Sequence, residues 1–351
     1  GETKAGAKPG LLQRLEAGPV ICAEGYVFEL ERRGYLQAGA YVPEVVLEHP
    51  EVVEELHREF AHAGSDVVEA LTYYAHREKL RIVDRENDLE AMNRQALAIA
   101  KRVADGAGAL LAGNICNTNA YVPGEKAALA AVQRMFDEQL GWAVDAGVDF
   151  VIGETYSYGA EAVLAAQRIK AAGLPAVITL AMHQEDVTRE GWTVADAAKR
   201  IEAAGAEVVG LNCIRGPRTM MPLLEEVRRA VKCHVAALPV PYRTTAKEPS
   251  FQSLTDPHFH DIPNGRPFPT ALDPFVCNRY EIADFAREAY ALGARYLGVC
   301  CGAGPHHIRA MAEALGRRPA ASRFSADMSK HAFFGSDARL RAVNTGYKHK
   351  L

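Results

Sequence analysis

Between Val20 and Cys300, short runs rich in β-branched residues alternate with longer, Ala-rich amphipathic segments, and no Pro/Ser linker interrupts them before about residue 243. Runs that short read as strands, and parallel neighbours need a crossover of a dozen residues or more, usually a helix. Eight runs can be marked, at 20–24, 66–73, 109–115, 149–154, 176–182, 207–213, 234–240 and 296–300. Eight strand–helix units predict a closed (β/α)8 TIM barrel. An open, doubly wound sheet shares this periodicity, but no G-x-G-x-x-G follows any of the runs.

Helix punctuation supports the count. Residues 50–63 begin with Pro and end before Gly64, Pro305 opens the last helix, and Gly64, Gly147, Gly205 and Gly293 stand where helix C-caps belong. One connection is out of scale: residues 243–278, after the seventh strand, hold six prolines and little apolar periodicity. On a barrel it would leave the C-terminal face, so it is read as a lid or subunit arm. The barrel is expected over 10–318, and residues 319–351, where the rhythm has stopped, are expected to form a tail that contacts a second subunit of a homo-oligomer.

Composition narrows the partners. With Lys+Arg 40 against Asp+Glu 44, the net charge of -4 offers no bulk positive field for nucleic acid or a membrane surface. No stretch of about 18 apolar residues occurs, and Gly1 to Gly10 are small and polar. A cytoplasmic protein acting on small molecules is expected. Seven cysteines without framework spacing fit a reducing compartment, where they serve as packing, metal ligands or nucleophiles.

Reactive groups of a barrel gather at the C-terminal strand ends. Here those ends carry Glu24-Gly25, Tyr73-Tyr74, the segment 114–119 (NICNTN), Glu154-Thr155-Tyr156, Asn212-Cys213 and Cys300-Cys301-Gly302. Strands six and eight are one strand apart, so the sulfurs of Cys213, Cys300 and Cys301 are placed to converge. Three thiolates suit Zn²⁺ and leave one tetrahedral position open, as in catalytic zinc. Taken singly, each cysteine reads equally as a buried hydrophobe; Cys22, Cys116, Cys233 and Cys277 are assigned to packing or the surface. An electron-rich three-thiolate zinc would hold a substrate thiol as thiolate. Glu24 and Glu154 could then receive an ammonium on that substrate, and the Gly25 N–H its carboxylate, although both acids also read as ordinary exposed carboxylates.

Four segments, EGYVFELERRGY at 24–35, the stretch 48–80, GLNC at 210–213 and GVCCGAGPHHIRAMAE at 298–313, resemble the betaine-homocysteine S-methyltransferases, part of the zinc-dependent homocysteine methyltransferases. The similarity runs over about residues 10–316. It implies that Cys213, Cys300 and Cys301 bind zinc and that Glu24, Gly25 and Glu154 hold homocysteine. The chain departs from the family at four places: Glu24 where many relatives have Asp, Val299 for the second Gly of GGCCG, Thr155 for the Tyr that commonly follows the strand-four Glu in animal forms, and Tyr41 where family members often carry Trp.

The methyl donor of such a family is an onium. A quaternary ammonium donates no hydrogen bond and is recognised by aromatic faces, at roughly 0.5–2 kcal/mol per ring. Tyr41, Tyr73 and Tyr74 are the candidates, against the plainer reading that strand-end tyrosines pack the rim. The expected reaction transfers a methyl group from glycine betaine to homocysteine, giving methionine and dimethylglycine. The alternatives are a sulfonium donor (S-methylmethionine or dimethylsulfoniopropionate), a metal-dependent hydrolase using His258 and His260, and a non-catalytic cysteine clamp. His306-His307 read as a helix cap or solvated pair.

Overall fold

The computed structural model describes residues 8–351; Gly1–Ala7, part of the polar N-terminal stretch, lie outside the described residues. Eight parallel strands close into a barrel in chain order: β1 (Val20–Ala23), β2 (Val67–Glu69), β3 (Leu110–Cys116), β4 (Phe150–Tyr156), β5 (Ala176–Leu180), β6 (Val208–Asn212), β7 (His234–Leu238) and β8 (Tyr296–Val299). Each strand pairs with the next, and β8 returns to β1 from Val20–Tyr296 through Ala23–Val299. No edge is left, which excludes the open sheet. The outer ring is α1 (Pro50–Ala63), α2 (Leu89–Ala107), α3 (Lys126–Ala146), α4 (Gly159–Ala171), α5 (Val194–Ala203), α6 (Pro217–Ala230), α7 (Arg279–Leu292) and α8 (Pro305–Ala314).

Alternation along the strands sorts the side chains into two cores. Val20, Cys22, Val67, Leu110, Ala112, Phe150, Ile152, Val177, Val208, Ala236, Leu238 and Tyr296 fill the barrel interior, while Ile21, Val68, Leu111, Val151, Ile178, Val209 and Leu297 face the helices. A short helix, Leu11–Ala17, which the strand count did not predict, puts Leu11 and Leu15 one turn apart into the same interior core. Each aliphatic side chain buried there contributes about 1.5–3 kcal/mol. Followed upward, the inward-facing rows turn polar: Glu24, Glu69, Asn114, Glu154, Thr179, Asn212 and Cys300, all buried.

The strand expected at 66–73 pairs only over Val67–Glu69. Beyond it the backbone turns away, the Thr72 hydroxyl bonding the Asn114 carbonyl at 2.8 Å and Tyr74 taking a left-handed φ of 64°. The Pro-rich connection is ordered around three 3-10 turns. Its Phe251 stacks on Phe28, 5.9 Å between centroids, and packs on Phe268 at 4.7 Å, which folds the connection over the β1 side of the rim. Residues 319–351 start against the barrel, with Ala321 buried and Ser325 Oγ donating to Glu313. They then leave Phe324, Met328, Phe334, Val343, Tyr347 and Leu351 exposed. Among the described residues no helix is long and apolar enough to cross a membrane.

Candidate active site

The three cysteines singled out by the motifs meet: the Sγ atoms of Cys213, Cys300 and Cys301 lie within 4.8 Å of one another. Cys300 ends the inward row of β8, and Cys301 begins the turn that follows. Cys213 follows β6 in a left-handed conformation (φ 58°), as does Ile214 (φ 64°). Two consecutive non-glycine residues in that region are uncommon, and each costs of order 1–3 kcal/mol. They are held by bonds from the Cys213 N–H to the Leu238 carbonyl at 2.9 Å and from the Phe251 N–H to the Ile214 carbonyl at 2.7 Å. Thiol donors from Cys300 and Cys301 push the Cys213 thiol well below its ordinary value, whereas burial pushes Cys300 up. Three such sulfurs form a soft donor set able to hold a metal ion with one position open.

Gly25 lets the two halves of the site approach. It follows Glu24 with φ 74°, and a Cβ there would stand 2.2 Å from the Cys301 nitrogen and 2.5 Å from the Cys300 carbonyl carbon. Val299, by contrast, pairs with Ala23 on the outward row of β8 and packs with the helix-facing core, so this departure from the family motif lies outside the site.

A small cavity opens above the cysteines, lined also by Gly25, Tyr26, Glu69, Tyr73, Glu154 and Thr155, whereas Glu24, Tyr41 and Tyr74 stand outside its lining. Its acids are buried, not exposed. Asn114 donates through Nδ2 to both Glu69 and Glu154, the latter at 2.5 Å. Asn212 donates to the other Glu154 oxygen at 3.0 Å and to the Thr155 hydroxyl at 2.9 Å, while accepting from the Thr155 N–H at 2.9 Å and the Thr179 hydroxyl at 2.8 Å. Thr155 (φ 65°) thus fixes the amide that orients Glu154. Both Glu24 oxygens and one Glu69 oxygen have no hydrogen-bond partner. Burial, followed by repulsion among the acids and thiols, pushes the Glu24 and Glu69 carboxyls well above the usual range, and burial raises Glu154.

The aromatic candidates separate. Tyr73 lines the cavity. Tyr74 packs on it at 4.2 Å between centroids and has Lys79 Nζ over its own ring at 4.2 Å, so one of its faces already meets a cation. Asn117 ties the pair together, donating to the Tyr73 hydroxyl and accepting from that of Tyr74, each at 3.2 Å. Tyr41, half-buried with φ 55°, stacks on Phe28 at 5.5 Å on the side of Cys301, and burial pushes its hydroxyl up.

Sequence reasoning missed Glu69, and it marked Asn114, Asn117 and Asn212 as strand-end groups without giving them a role. A Glu inside the apolar run 67–71 was the available signal for Glu69. His258 and His260 are exposed on the long connection and join no group of three metal-ligating side chains among the described residues. His307 is a buried cap, its Nδ1 accepting from the Gly304 N–H at 3.1 Å and its Nε2 meeting the Cys277 carbonyl at 2.8 Å.

The family described as homocysteine S-methyltransferase matches residues 21–315. Betaine–homocysteine S-methyltransferase 1 of Xenopus tropicalis is 39% identical over 346 residues, covering 95% of this chain and 82% of that protein. S-methylmethionine–homocysteine S-methyltransferase of Rattus norvegicus is 36% identical over 339 residues, covering 94% and 87%. The metallated crystal structure of the Escherichia coli homocysteine methyltransferase MmuM superposes with a TM-score of 0.67 at 19% identity, over 86% of this chain and 98% of that one, a likeness of fold. The chain belongs to the homocysteine S-methyltransferase family.

Proposed function

We propose that the protein transfers a methyl group from glycine betaine to homocysteine, giving methionine and dimethylglycine, at a zinc site formed by Cys213, Cys300 and Cys301. The convergence of these sulfurs at the floor of a cavity walled by buried carboxylates is the observation that carries the reading. The cluster fits zinc: Zn–S bonds of about 2.3 Å place tetrahedral sulfurs roughly 3.8 Å apart, inside the spread found here. Bound there, zinc would keep the acceptor's sulfur as a thiolate at neutral pH.

The remaining work falls to the chain. Glu24 and Glu154 receive the acceptor's ammonium, supplying partners that both Glu24 oxygens lack. The Gly25 N–H is offered to its carboxylate. Tyr73, steadied by Tyr74 through Asn117, and Tyr41 on the Cys301 side present π faces to the trimethylammonium and exclude water. Transfer is direct: the acceptor's S–C bond forms as the donor's N–C bond breaks, with the electron pair staying on nitrogen. Holding both substrates together supplies much of the rate.

A sulfonium donor is the second reading, favoured by the Rattus relative, since a sulfonium is also a cation without N–H donors. Methionine formation from homocysteine, assayed on metal-analysed protein with betaine, S-methylmethionine and dimethylsulfoniopropionate in turn, separates the two. Betaine is expected to support the fastest turnover, and turnover with a sulfonium but not with betaine would reject the donor assigned here.

The free thiols suit a reducing, cytoplasmic location. The exposed apolar side chains of the tail favour a homo-oligomer in which residues 319–351 contact a second subunit. Sedimentation should show that assembly, and deletion of residues 319–351 should yield monomers; an unchanged assembly would remove the tail from the interface.

A further inference from the structure

Beside the two acids assigned to the acceptor stands a third, Glu69. It is 3% exposed, ends β2 facing inward and lines the cavity, with one oxygen lacking any partner. Its other oxygen shares the Asn114 amide nitrogen with Glu154, so Glu69 is built into the same network. Ligating oxygens of Glu24 and Glu69 lie within 4.8 Å of each other, as do those of Glu24 and Glu154. Charge-assisted N–H···O bonds run at about 2.8 Å, so one ammonium nitrogen with tetrahedral N–H bonds meets two oxygens about 4.6 Å apart. Glu69 and Glu154 line the cavity and Glu24 stands next to them, so the three acids lie within reach of a single nitrogen.

The donors that reach Glu69 and Glu154 are the neutral amides of Asn114 and Asn212, and no Lys, Arg or His lines the cavity. Buried carboxylate oxygens without partners are costly, and the cost is relieved when a ligand brings positive charge and N–H donors. A primary ammonium brings three N–H donors. Resting on the homocysteine reading above, we infer that Glu69 is the third wall of the amine subsite and that Glu24, Glu69 and Glu154 together select a primary ammonium.

This arrangement explains how one cavity keeps two cations apart. A trimethylammonium has no N–H to give and would leave all three acids unpaired, so the donor's charged end is rejected at the floor and received by the aromatic rings. A thiol without the amine leaves the same oxygens unpaired. Glu69 is then a specificity residue for the acceptor and silent toward the donor.

The test compares the full-length, metal-loaded protein with Glu69→Gln and Glu69→Asp. The readouts are the KM values for homocysteine and donor, metal content, and the inhibition constant of 4-mercaptobutanoate, the same thiol acid lacking the amine, as a competitor of homocysteine. Glu69→Gln retains an oxygen for Asn114 but loses the charge. It is expected to raise the homocysteine KM about tenfold or more, leaving metal content, donor KM and the inhibition constant within about twofold. Glu69→Asp should fall between. A homocysteine KM within twofold of the parent value, or an inhibition constant rising in step with it, would overturn the inference alone by making Glu69 a structural support for Asn114. No methionine from the parent protein with any donor would overturn the acceptor reading, and this inference with it.

Discussion

A Cys213→Ala protein is expected to fold, to carry close to no metal, and to transfer methyl groups at least about a thousandfold more slowly than the parent, a loss of about 4 kcal/mol in transition-state stabilisation. Folding should survive because the backbone holds Cys213 in place: its N–H bonds Leu238, its carbonyl accepts from the Arg215 N–H at 2.6 Å, and Ile214 is fastened by Phe251. Alanine meets the left-handed φ at much the same cost as cysteine, so little stability is lost on that account. The metal is another matter. With one sulfur gone, only two sulfurs remain where a catalytic zinc is held by three protein ligands, so the affinity falls steeply. Metal analysis, thermal unfolding and initial rates, with Cys233→Ala as a control away from the cluster, decide the matter. One metal retained per chain in Cys213→Ala would remove this residue from the ligand set and the proposed chemistry with it.

The barrel was legible in the sequence because its signals are local. Most strands are short β-branched runs, and several helices carry their own stop, such as Gly147 (φ 74°) after α3 or Gly293 (φ 112°) after α7. The cysteines were legible for a related reason: strand ends of a barrel share one rim, so position along a strand predicts proximity across it. What could not be read was the interior polar layer. Asn114 lies inside a seven-residue strand and Asn212 at a strand end, and in sequence neither differs from an ordinary polar residue. Only closure of the barrel sets Asn114 between Glu69 and Glu154, and Asn212 between Glu154 and Thr155. The alternative reading of Glu24 and Glu154 as ordinary exposed carboxylates fails on the same point: strand ends read as rim, whereas the loops above bury both acids. For Tyr74 the sequence offered an aromatic ring but gave no sign that Lys79, five residues on, would cover one face.

Gly25→Ala is expected to lower stability by about 2–4 kcal/mol and methyl transfer by at least about a hundredfold, although it adds a single methyl group and removes no ligand. The added carbon would stand 2.2 Å from the Cys301 nitrogen and 2.5 Å from the Cys300 carbonyl carbon, contacts with main chain that no rotamer change can relieve. At φ 74° an alanine is also strained whatever the space around it. Relief requires the β1 and β8 ends to separate, which carries Cys300 and Cys301 away from Cys213 and Glu24 away from Glu154. Metal content and acceptor affinity should therefore fall together, unlike the separate losses expected from Cys213→Ala and Glu69→Gln. Gly141→Ala is the matched control: Gly141 lies within α3, its Cβ would meet nothing within 4 Å, and the change should add roughly 0.5–1 kcal/mol through helix propensity. Unfolding midpoints, metal content and homocysteine titrations of the two variants give the comparison. A Gly25→Ala protein with the parent's midpoint and metal would mean that the two strand ends are not pressed together as described, and the contact between the acid-bearing and sulfur-bearing halves of the site would have to be redrawn.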